Sequence, residues 1–283
     1  MVDLTIAANA AIDLQLHTVF SDGTWSPEAL IDHLLAEHFA AAAITDHDRV
    51  DIAPLLHSLA LEKEFLLLIA VEMSTHWHHD WIDVLCFGFD PSAPGLLRMS
   101  AKLLQEQQEN LRQTVDAIRQ QGFVFPEEEL CTILDKPAVQ QPHVLVEHVR
   151  EKGYGTPDRS AGRLLVESGL KQITLDIAEV VDAAHESGGV SLIAHPGRGD
   201  GYLVFDDELL DQLRAETAID GLEVYYPKHT EAQIAAYQAY ANRHDLLMSA
   251  GSDSHTPDQP PIKYPAGTCR KLLSRLGLRV TGA

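Results

Sequence analysis

Histidines and carboxylates recur where short apolar runs of this sequence end. In the first such segment Asp13, Gln15 and His17 alternate with leucines, so on a strand these three polar side chains would share one face. Polar groups on a face that is normally apolar are costly to bury unless something binds them. Comparable polar residues accompany further apolar runs at 45–48, 71–72, 83, 194–198 and 251–255. Together these segments favour one shared site over a set of separate structural histidines.

The residue types in these segments indicate a metal centre. Imidazole and carboxylate groups without a thiolate suit divalent ions such as Mn, Fe, Zn or Mg, and bridging carboxylates can hold several ions together. Such clusters suit the hydrolysis of phosphate esters, because the ions neutralise phosphate oxygens, generate hydroxide from a bound water and stabilise the leaving alkoxide. The sequence therefore predicts a phosphoesterase that uses two or three divalent ions.

Apolar runs alternate with helical patterns along the chain, which predicts βα units and a parallel sheet. Strands are expected at 11–16, 40–45, 65–70, 82–89, 190–194, 221–225 and 246–249. Seven such strands predict a closed or nearly closed α/β barrel, with the polar strand ends at its mouth. Ser26 before Pro27 predicts the start of one helix, and Thr174 with Asp176 predicts another that stops at 188–189.

A long run of helical patterns without an obvious strand separates the fourth and fifth predicted strands. We therefore expect a barrel domain formed by residues 1–90 and 190–283, and a mostly helical insertion at 91–189 over the barrel mouth. The first helix of the insertion, at 101–121, is amphipathic, which predicts a packing stripe with a solvated face behind it.

Charge and composition narrow the class of protein. The 283 residues include 21 Lys and Arg against 42 Asp and Glu, a net charge of −21 that argues against a broad nucleic-acid surface. An anionic substrate must therefore be captured locally. The three cysteines form no CxxC pair, and no apolar run reaches the length of a membrane span. The first residues carry Asp3 and Asp13 instead of a basic segment and an apolar core, so a cytoplasmic location without a membrane partner is expected.

The order and spacing of these motifs resemble the polymerase and histidinol phosphatase (PHP) superfamily, and more narrowly its nucleotide phosphatase and 5'-3' exoribonuclease branch. The motifs are DLQLHT and SDG within 13–23, ITDHD at 44–48, VE at 71–72, QPH at 141–143, IAHPGR at 193–198, GLEV at 221–224 and GSDSH at 251–255. The resemblance spans almost the whole chain. It implies a distorted (β/α)7 barrel with a helical insertion and a binuclear or trinuclear metal site.

The resemblance also implies roles for particular residues. Metal ligands would be Gln15, His17, Asp22, His47, Glu72, Asp83, His143, His195, Asp253 and His255. Glu72 would bridge two ions, and His143 would reach in from the insertion. Glu72, His195 and Asp253 would be catalytic, with His195 a ligand or general acid. Arg198 would bind the substrate phosphate. Apart from the resemblance, Lys228 and His229 follow the sixth predicted strand and are further candidates for substrate binding.

Three positions depart from the family pattern. Gln15 and Asp83 stand where many members have histidine, which replaces nitrogen donors with oxygen and favours harder ions such as Mn and Mg. Gln141 stands where close relatives have an arginine before the proline-histidine pair, which removes a phosphate contact. Lys171, Lys228 or Arg112 could compensate for that loss.

Several other polar and aromatic residues have two interpretations. Tyr225, Tyr226 and His229 follow the sixth predicted strand and could stack on a base or pack at the rim. The histidines at 76, 78 and 79 are expected in an exposed hairpin-like turn, where a metal role is disfavoured. Asp46 and Asp48 flank His47 and could orient its ring.

The preferred hypothesis is hydrolysis of a nucleotide phosphomonoester, either a 3',5'-bisphosphonucleotide or the 5' end of a short oligonucleotide, by metal-activated hydroxide. One alternative is a phosphatase acting on another small phosphomonoester, such as histidinol phosphate. A second is a degenerate domain that binds metal or nucleic acid without hydrolysis, and a third is an amidohydrolase-type hydrolase. The retained histidines and carboxylates disfavour the degenerate domain, and the arginine of the HPGR segment disfavours the amidohydrolase.

Overall fold

The computed structural model describes residues 4–282. The strands in this range are β1 Leu4–Ala7, β2 Ala11–Asp13, β3 Ala41–Ala43, β4 Leu67–Leu68, β5 Ala70–Trp77, β6 Asp80–Phe87, β7 Leu175–Asp176, β8 Val190–Ile193, β9 Gly221–Tyr225, β10 Leu247–Ala250, β11 Tyr264–Pro265 and β12 Leu278–Thr281. The α-helices are α1 Pro27–Ala36, α2 Ala53–Glu62, α3 Pro94–Gln120, α4 Glu127–Leu134, α5 Gln141–Glu151, α6 Ala161–Glu167, α7 Ile177–Glu186, α8 Asp207–Glu216, α9 Glu231–Arg243 and α10 Arg270–Arg275. Short 3₁₀ turns lie at Val50–Ile52 and Ala266–Cys269.

The described strands form three sheets in which parallel pairs predominate. Their orders are β10-β9-β8-β6-β5-β7, β11-β2-β3-β4 and β1-β12. The predicted α/β architecture with a mainly parallel sheet is thus confirmed, with one correction. Strand β6 runs antiparallel to both β5 and β8, because β5 and β6 are joined by a tight turn instead of a crossover helix.

Single bridges and backbone hydrogen bonds continue the strands past their assigned ends. Beyond β2, the Leu14 N–H donates to the Ala250 carbonyl at 2.9 Å. Beyond β3, the Thr45 carbonyl accepts the Glu72 N–H at 3.0 Å. The predicted strand at 11–16 is therefore a short strand followed by extended backbone. The expected closure of the strands into a barrel stays a prediction.

The helix signals of the sequence are found where they were predicted. Ser26 accepts the Ala29 N–H at 3.2 Å, and Pro27 begins α1. Asp176 accepts the N–H groups of Ala178 and Glu179 and so caps α7. The expectation of no strand in this part of the chain was wrong, because Leu175 and Asp176 pair with β5 as the two-residue strand β7.

The chain divides into two compact units. The first comprises Met1–Met99 and Leu175–Ala283, and the second is Ser100–Thr174. Within its described residues, the second unit is helical around a buried cluster that includes Leu111, Leu145 and Leu165. The expected insertion at 91–189 contains this unit together with α7, which belongs to the first unit. The expected domain boundaries stay a prediction.

Apolar residues of β2 and the segment after it belong to two buried clusters of the first unit. Leu14 belongs to the cluster that includes Ile12 and Phe87, and Leu16 belongs to the cluster that includes Leu30. The polar side chains that alternate with these leucines, Asp13, Gln15 and His17, are also fully buried. Among residues 4–282, no helix is long and apolar enough to cross a membrane.

Candidate metal centre

The strand ends of the first unit bring most of the predicted ligands together. His17 follows β2, His47 follows β3, Glu72 lies on β5, Asp83 on β6, His195 after β8, and Asp253 and His255 after β10. Asp83 lies near the start of β6, yet the antiparallel direction of that strand places it opposite Ser74, beyond Glu72 on β5. The reversal of β6 thus carries Asp83 to the edge where the parallel strands end.

Glu72 is the centre of the cluster. Its side chain is fully buried, and its Oε2 lies 3.0 Å from His17 Nε2 and 3.8 Å from His47 Nε2. The second oxygen, Oε1, lies 3.1 Å from His195 Nε2. One carboxylate therefore faces three imidazoles through both of its oxygens, which is the arrangement required of a bridging ligand.

Among residues 4–282, three groups of side chains have donor atoms close enough to hold an ion. The groups are His17, Asp22, His47 and His255; His17, Glu72 and Asp253; and His47, Glu72 and Asp83, each with ligand atoms within 4.8 Å of one another. His17, His47 and Glu72 each belong to two of the three groups. The His17 ring lies against His255, with 4.1 Å between ring centroids, and against His47 at 4.8 Å, so the three imidazoles pack together.

Opposite charges dominate the electrostatics of the cluster. Burial alone would lower the pKa of His17, but hydrogen bonds to Asp253 and Glu72 hold it well above its usual value. Burial would likewise lower the pKa of His47, yet the charges of Glu72 and Asp22 raise it to about 9. Burial would raise the pKa of Glu72, but the neighbouring histidines hold it well below its usual range. Without an ion, the site is a set of buried imidazolium and carboxylate pairs.

Two buried oxygen atoms at this site fit a bound cation. Asp83 Oδ2 and Gln15 Oε1 are buried and have no hydrogen-bond partner. The Gln15 amide nitrogen donates to Glu72 Oε2 at 2.8 Å, which orients the amide and leaves its oxygen free. An unsatisfied buried acceptor costs about 1–3 kcal/mol, and coordination of an ion would remove that cost. The donor set of imidazole, carboxylate and amide atoms also fits divalent cations.

Burial and the nearby charge of Glu72 raise the pKa of Asp83. A carboxyl group in this environment gains from a cation that would compensate its charge. Asp83 Oδ2 also lies 3.8 Å from His195 Nε2. These contacts support the expectation that Asp83 belongs to the metal centre.

His143 and Gln141 lie in the second unit, on α5. The His143 side chain is 78% exposed, and its Nε2 lies 3.9 Å from a carboxylate oxygen of Glu147. Its expected ligand role stays a prediction. Gln141 is fully buried and donates through Nε2 to the carbonyls of Leu134 and Lys136 at 3.0 and 2.8 Å. This glutamine therefore satisfies carbonyl groups at the end of α4.

The turn that carries His195 and Arg198 is fastened by side chains from two other elements. The His195 N–H donates to Glu223 on β9 at 3.0 Å. The Gly197 N–H donates to His229 Nε2 at 3.0 Å, and the Gly197 carbonyl accepts from Gln233 Nε2 on α9 at 2.9 Å. A Cβ atom at Gly197 would lie 2.5 Å from the Gln233 amide nitrogen, so a larger residue here would displace the side chain that makes this hydrogen bond.

His229 is part of this fastening. Its ring is buried, and its other nitrogen, Nδ1, donates to the Val224 carbonyl at 3.0 Å. A direct substrate contact through either ring nitrogen would require one of these two bonds to break. Burial lowers the pKa of His229, which agrees with a neutral ring that donates on one side and accepts on the other.

Arg198 and two tyrosines surround Asp253 at the edge of the cluster. Its guanidinium stacks over the Tyr202 ring at 4.6 Å, and its Nη1 lies 3.8 Å from Asp253 Oδ2. The Tyr226 hydroxyl donates to the same oxygen of Asp253 at 3.2 Å. The Arg198 Nε is buried without a partner. Sequence reasoning missed Tyr202, which lies in an irregular loop where no periodicity marks it.

The remaining polar segments support the site indirectly. Asp46 accepts hydrogen bonds from the Thr18 N–H at 2.6 Å and the Ser21 hydroxyl at 2.7 Å, and Asp48 accepts from the Ser74 N–H at 2.8 Å. These carboxylates brace the backbone around His17 and Glu72, where we expected them to orient His47. Of the three histidines expected in a hairpin-like turn, His78 and His79 lie in the turn between β5 and β6, whereas His76 lies on β5. His78 Nε2 lies 3.1 Å from Glu216.

Comparison with known proteins gives a consistent set of relatives. The PHP domain family matches residues 13–154. A 3',5'-nucleoside bisphosphate phosphatase from Chromobacterium violaceum is 27% identical over 96% of this chain and 98% of its own length. The 5'-3' exoribonuclease Rnm of Escherichia coli is 28% identical over 87% of this chain and 85% of its own length.

Solved structures agree with this grouping. A protein from Bifidobacterium adolescentis, described as a metal-dependent phosphoesterase, superposes with a TM-score of 0.75 and 25% identity, over 94% of this chain and 96% of that one. Since the family match covers half of the sequence and includes His17, His47, Glu72 and Asp83, the chain belongs to the PHP domain family.

Proposed function

We propose that this chain is a metal-dependent phosphoesterase that removes a phosphate group from a nucleotide, either a nucleoside 3',5'-bisphosphate or the 5' end of a short oligonucleotide. The observation that carries the proposal is the position of Glu72. Its two oxygens face His17, His47 and His195, and two of the three candidate ion-binding groups share it. A carboxylate shared in this way serves a centre in which neighbouring ions act on one phosphate group.

The predicted reaction class, phosphoric ester hydrolysis, is confirmed by the relatives. A phosphatase and an exoribonuclease both match this chain over most of its length. The nucleotide substrate is our inference from their names. The substrates of these two relatives share a nucleoside that carries a phosphate ester.

The positions of the side chains suggest which of them would hold each ion. Bound divalent ions would neutralise phosphate oxygens and lower the pKa of a coordinated water. His17, Glu72 and Asp253 would hold one ion, His47 and Asp83 would hold another together with Glu72, and Asp22 and His255 would contribute to a third group. Oxygen donors at Gln15 and Asp83 favour Mn or Mg over Zn.

Arg198 and His195 would act on the substrate side of the centre. Arg198 presents a half-buried guanidinium whose Nε lacks a partner, and two parallel N–H groups of this kind bind phosphate oxygens bidentately. His195 Nε2, 3.1 Å from Glu72, is placed either to hold an ion or to protonate the leaving oxygen.

We also propose that the strands close into a distorted barrel. The Leu14 bond to Ala250 joins the segment after β2 to β10, and the Glu72 bond to Thr45 joins β5 to the segment after β3. These bonds support closure because they link the four-stranded sheet to the six-stranded sheet at two places. The polar strand ends would then encircle the metal centre.

The test is phosphate release by metal-stripped protein reloaded with Mn. The substrates are adenosine 3',5'-bisphosphate, a short 5'-phosphorylated RNA and histidinol phosphate. We expect release from the nucleotide substrates and a loss of at least about a thousandfold in kcat for Asp253→Ala, which removes a ligand and the partner of Tyr226. Asp258→Ala, an exposed carboxylate in the following loop, is the control. Release only from histidinol phosphate, or full turnover by Asp253→Ala, would contradict the proposal.

A further inference from the structure

A cavity of about 700 Å³ lies beside the metal centre within the first unit. Asp253 and His255 belong both to the candidate ion-binding groups and to the lining of this cavity. Arg198 lines it as well. A molecule whose phosphate is held at the metal centre therefore has room for the rest of its structure here. A nucleotide is within the size range that cavities of this volume accept.

Positive charge is concentrated in this cavity, although the chain carries a net charge of −21. Arg198 and Lys228 both line it, and Asp253, a candidate metal ligand, is the one carboxylate among the lining residues. Lys228 Nζ lies 3.8 Å from Asp200, and both of these side chains are more than half exposed. An exposed pair at this distance is weak, so Lys228 is available to a substrate anion.

One part of the cavity wall is apolar. It consists of Pro227, Pro260, Pro261 and Ile262. The Ser254 hydroxyl donates to the Gln259 carbonyl at 2.5 Å, and the Ile262 N–H donates to Asp13 at 2.9 Å, so both ends of the proline segment are fixed. A preformed apolar wall can receive a flat ring without an ordering cost.

We propose that this cavity binds the nucleoside of the substrate, and that Lys228 binds a second phosphate group, the one that is not cleaved. Lys228 is then a specificity-determining residue that selects nucleosides with two phosphates over those with one. The inference rests on the proposed function, since the first phosphate lies at the metal centre. Arg198 lines the cavity beside Asp253, so it binds the phosphate group that is cleaved.

The experiment compares kcat/KM for adenosine 3',5'-bisphosphate with kcat/KM for adenosine 3'-monophosphate, using Mn-loaded protein. We expect Lys228→Met to lower the ratio of the two values about tenfold, because one charged contact to the second phosphate is lost. The matched control is Lys263→Met. Lys263 is an exposed lysine that pairs with Glu37 at 2.9 Å and lies outside the cavity lining, so its variant keeps the wild-type ratio. An unchanged ratio in Lys228→Met would overturn the proposal.

A binding measurement separates this inference from the proposed function. If wild-type protein releases no phosphate from either nucleotide or from the 5'-phosphorylated RNA, the proposed function fails, and calorimetric titration of the same two nucleotides still tests the cavity. We then expect tighter binding of the bisphosphate and a loss of about tenfold in Lys228→Met for that ligand. Equal affinities of the two nucleotides for wild-type protein would overturn the role of Lys228. Unchanged nucleotide affinity in Ile262→Asn would overturn the role of the apolar wall.

Discussion

The backbone N–H of His195 donates to the buried carboxyl group of Glu223 at 3.0 Å. His195 has φ of 29°, in the left-handed region that non-glycine residues avoid. Such a conformation costs about 1–3 kcal/mol and persists only where the surroundings hold it. Glu223 is therefore one of the groups that keep the His195 ring against Glu72 and the Arg198 side chain beside Asp253.

Two variants of Glu223 test whether its hydrogen-bond acceptor is what matters for activity. Glu223→Gln keeps an acceptor without a charge, and Glu223→Leu removes both. Burial raises the pKa of Glu223 well above its usual value, which favours the neutral carboxyl group, and glutamine is its close substitute. We expect Glu223→Gln to keep kcat within about threefold, and Glu223→Leu to lower it at least about thirtyfold, because only leucine removes the acceptor. Steady-state kinetics checks this, with thermal unfolding as the control for folding. Equal losses of kcat in both variants would show that the acceptor does not matter.

His229 offers a second test of the same turn. His229→Phe keeps the ring volume but removes the acceptor for the Gly197 N–H, whereas His229→Gln can supply an amide oxygen in its place. We expect His229→Phe to raise KM about tenfold through misplacement of Arg198, and His229→Gln to recover most of that loss. The measurement is KM and kcat for each variant with the bisphosphate substrate. A fall in kcat alone, without recovery by glutamine, would contradict a positioning role.

The sequence predicts the parts of the centre that depend on strand ends, and misses those that depend on loops. His17, His47, Glu72 and Asp253 were identifiable because each follows or ends an apolar run, and parallel strands bring such ends together. Asp83 reaches the same edge for a different reason, the reversal of β6 in a tight hairpin.

Tyr202 and the bond from His195 to Glu223 could not be predicted from sequence periodicity. Tyr202 lies in a loop and contacts Trp81 and Arg198. Trp81 is distant in sequence, and Arg198 belongs to the same irregular segment as Tyr202. Glu223 has an apolar neighbour on each side and reads as an ordinary polar residue of a strand. Its buried position becomes visible only when β8 and β9 pair.

Gln15→His tests whether the oxygen donor sets the choice of metal. Gln15 Oε1 is buried and unpartnered, and an imidazole nitrogen at this position suits Zn better than an amide oxygen does. We expect the affinity for Zn relative to Mn to rise at least about tenfold, measured by competitive titration of metal-stripped protein. Gln238→His, on the exposed face of α9, is the matched control. An unchanged Zn to Mn ratio in Gln15→His would exclude Gln15 from the coordination sphere.

Metal binding to this centre is expected to release protons. In the metal-free protein the pKa of His47 is raised to about 9, so its imidazole is protonated at pH 7. The pKa of His17 is also raised, by hydrogen bonds to Asp253 and Glu72, which favours its protonated form. An ion binds the neutral imidazole and must displace these protons, so affinity rises with pH from 7 through the pKa of His47. Calorimetric titration with Mn in buffers of different ionisation enthalpy should show release of about two protons at pH 7, and about one in His47→Asn. Titration without proton release would mean that neither histidine is a ligand, since the carboxylates, with the pKa of Glu72 and Asp253 held low, are already ionised.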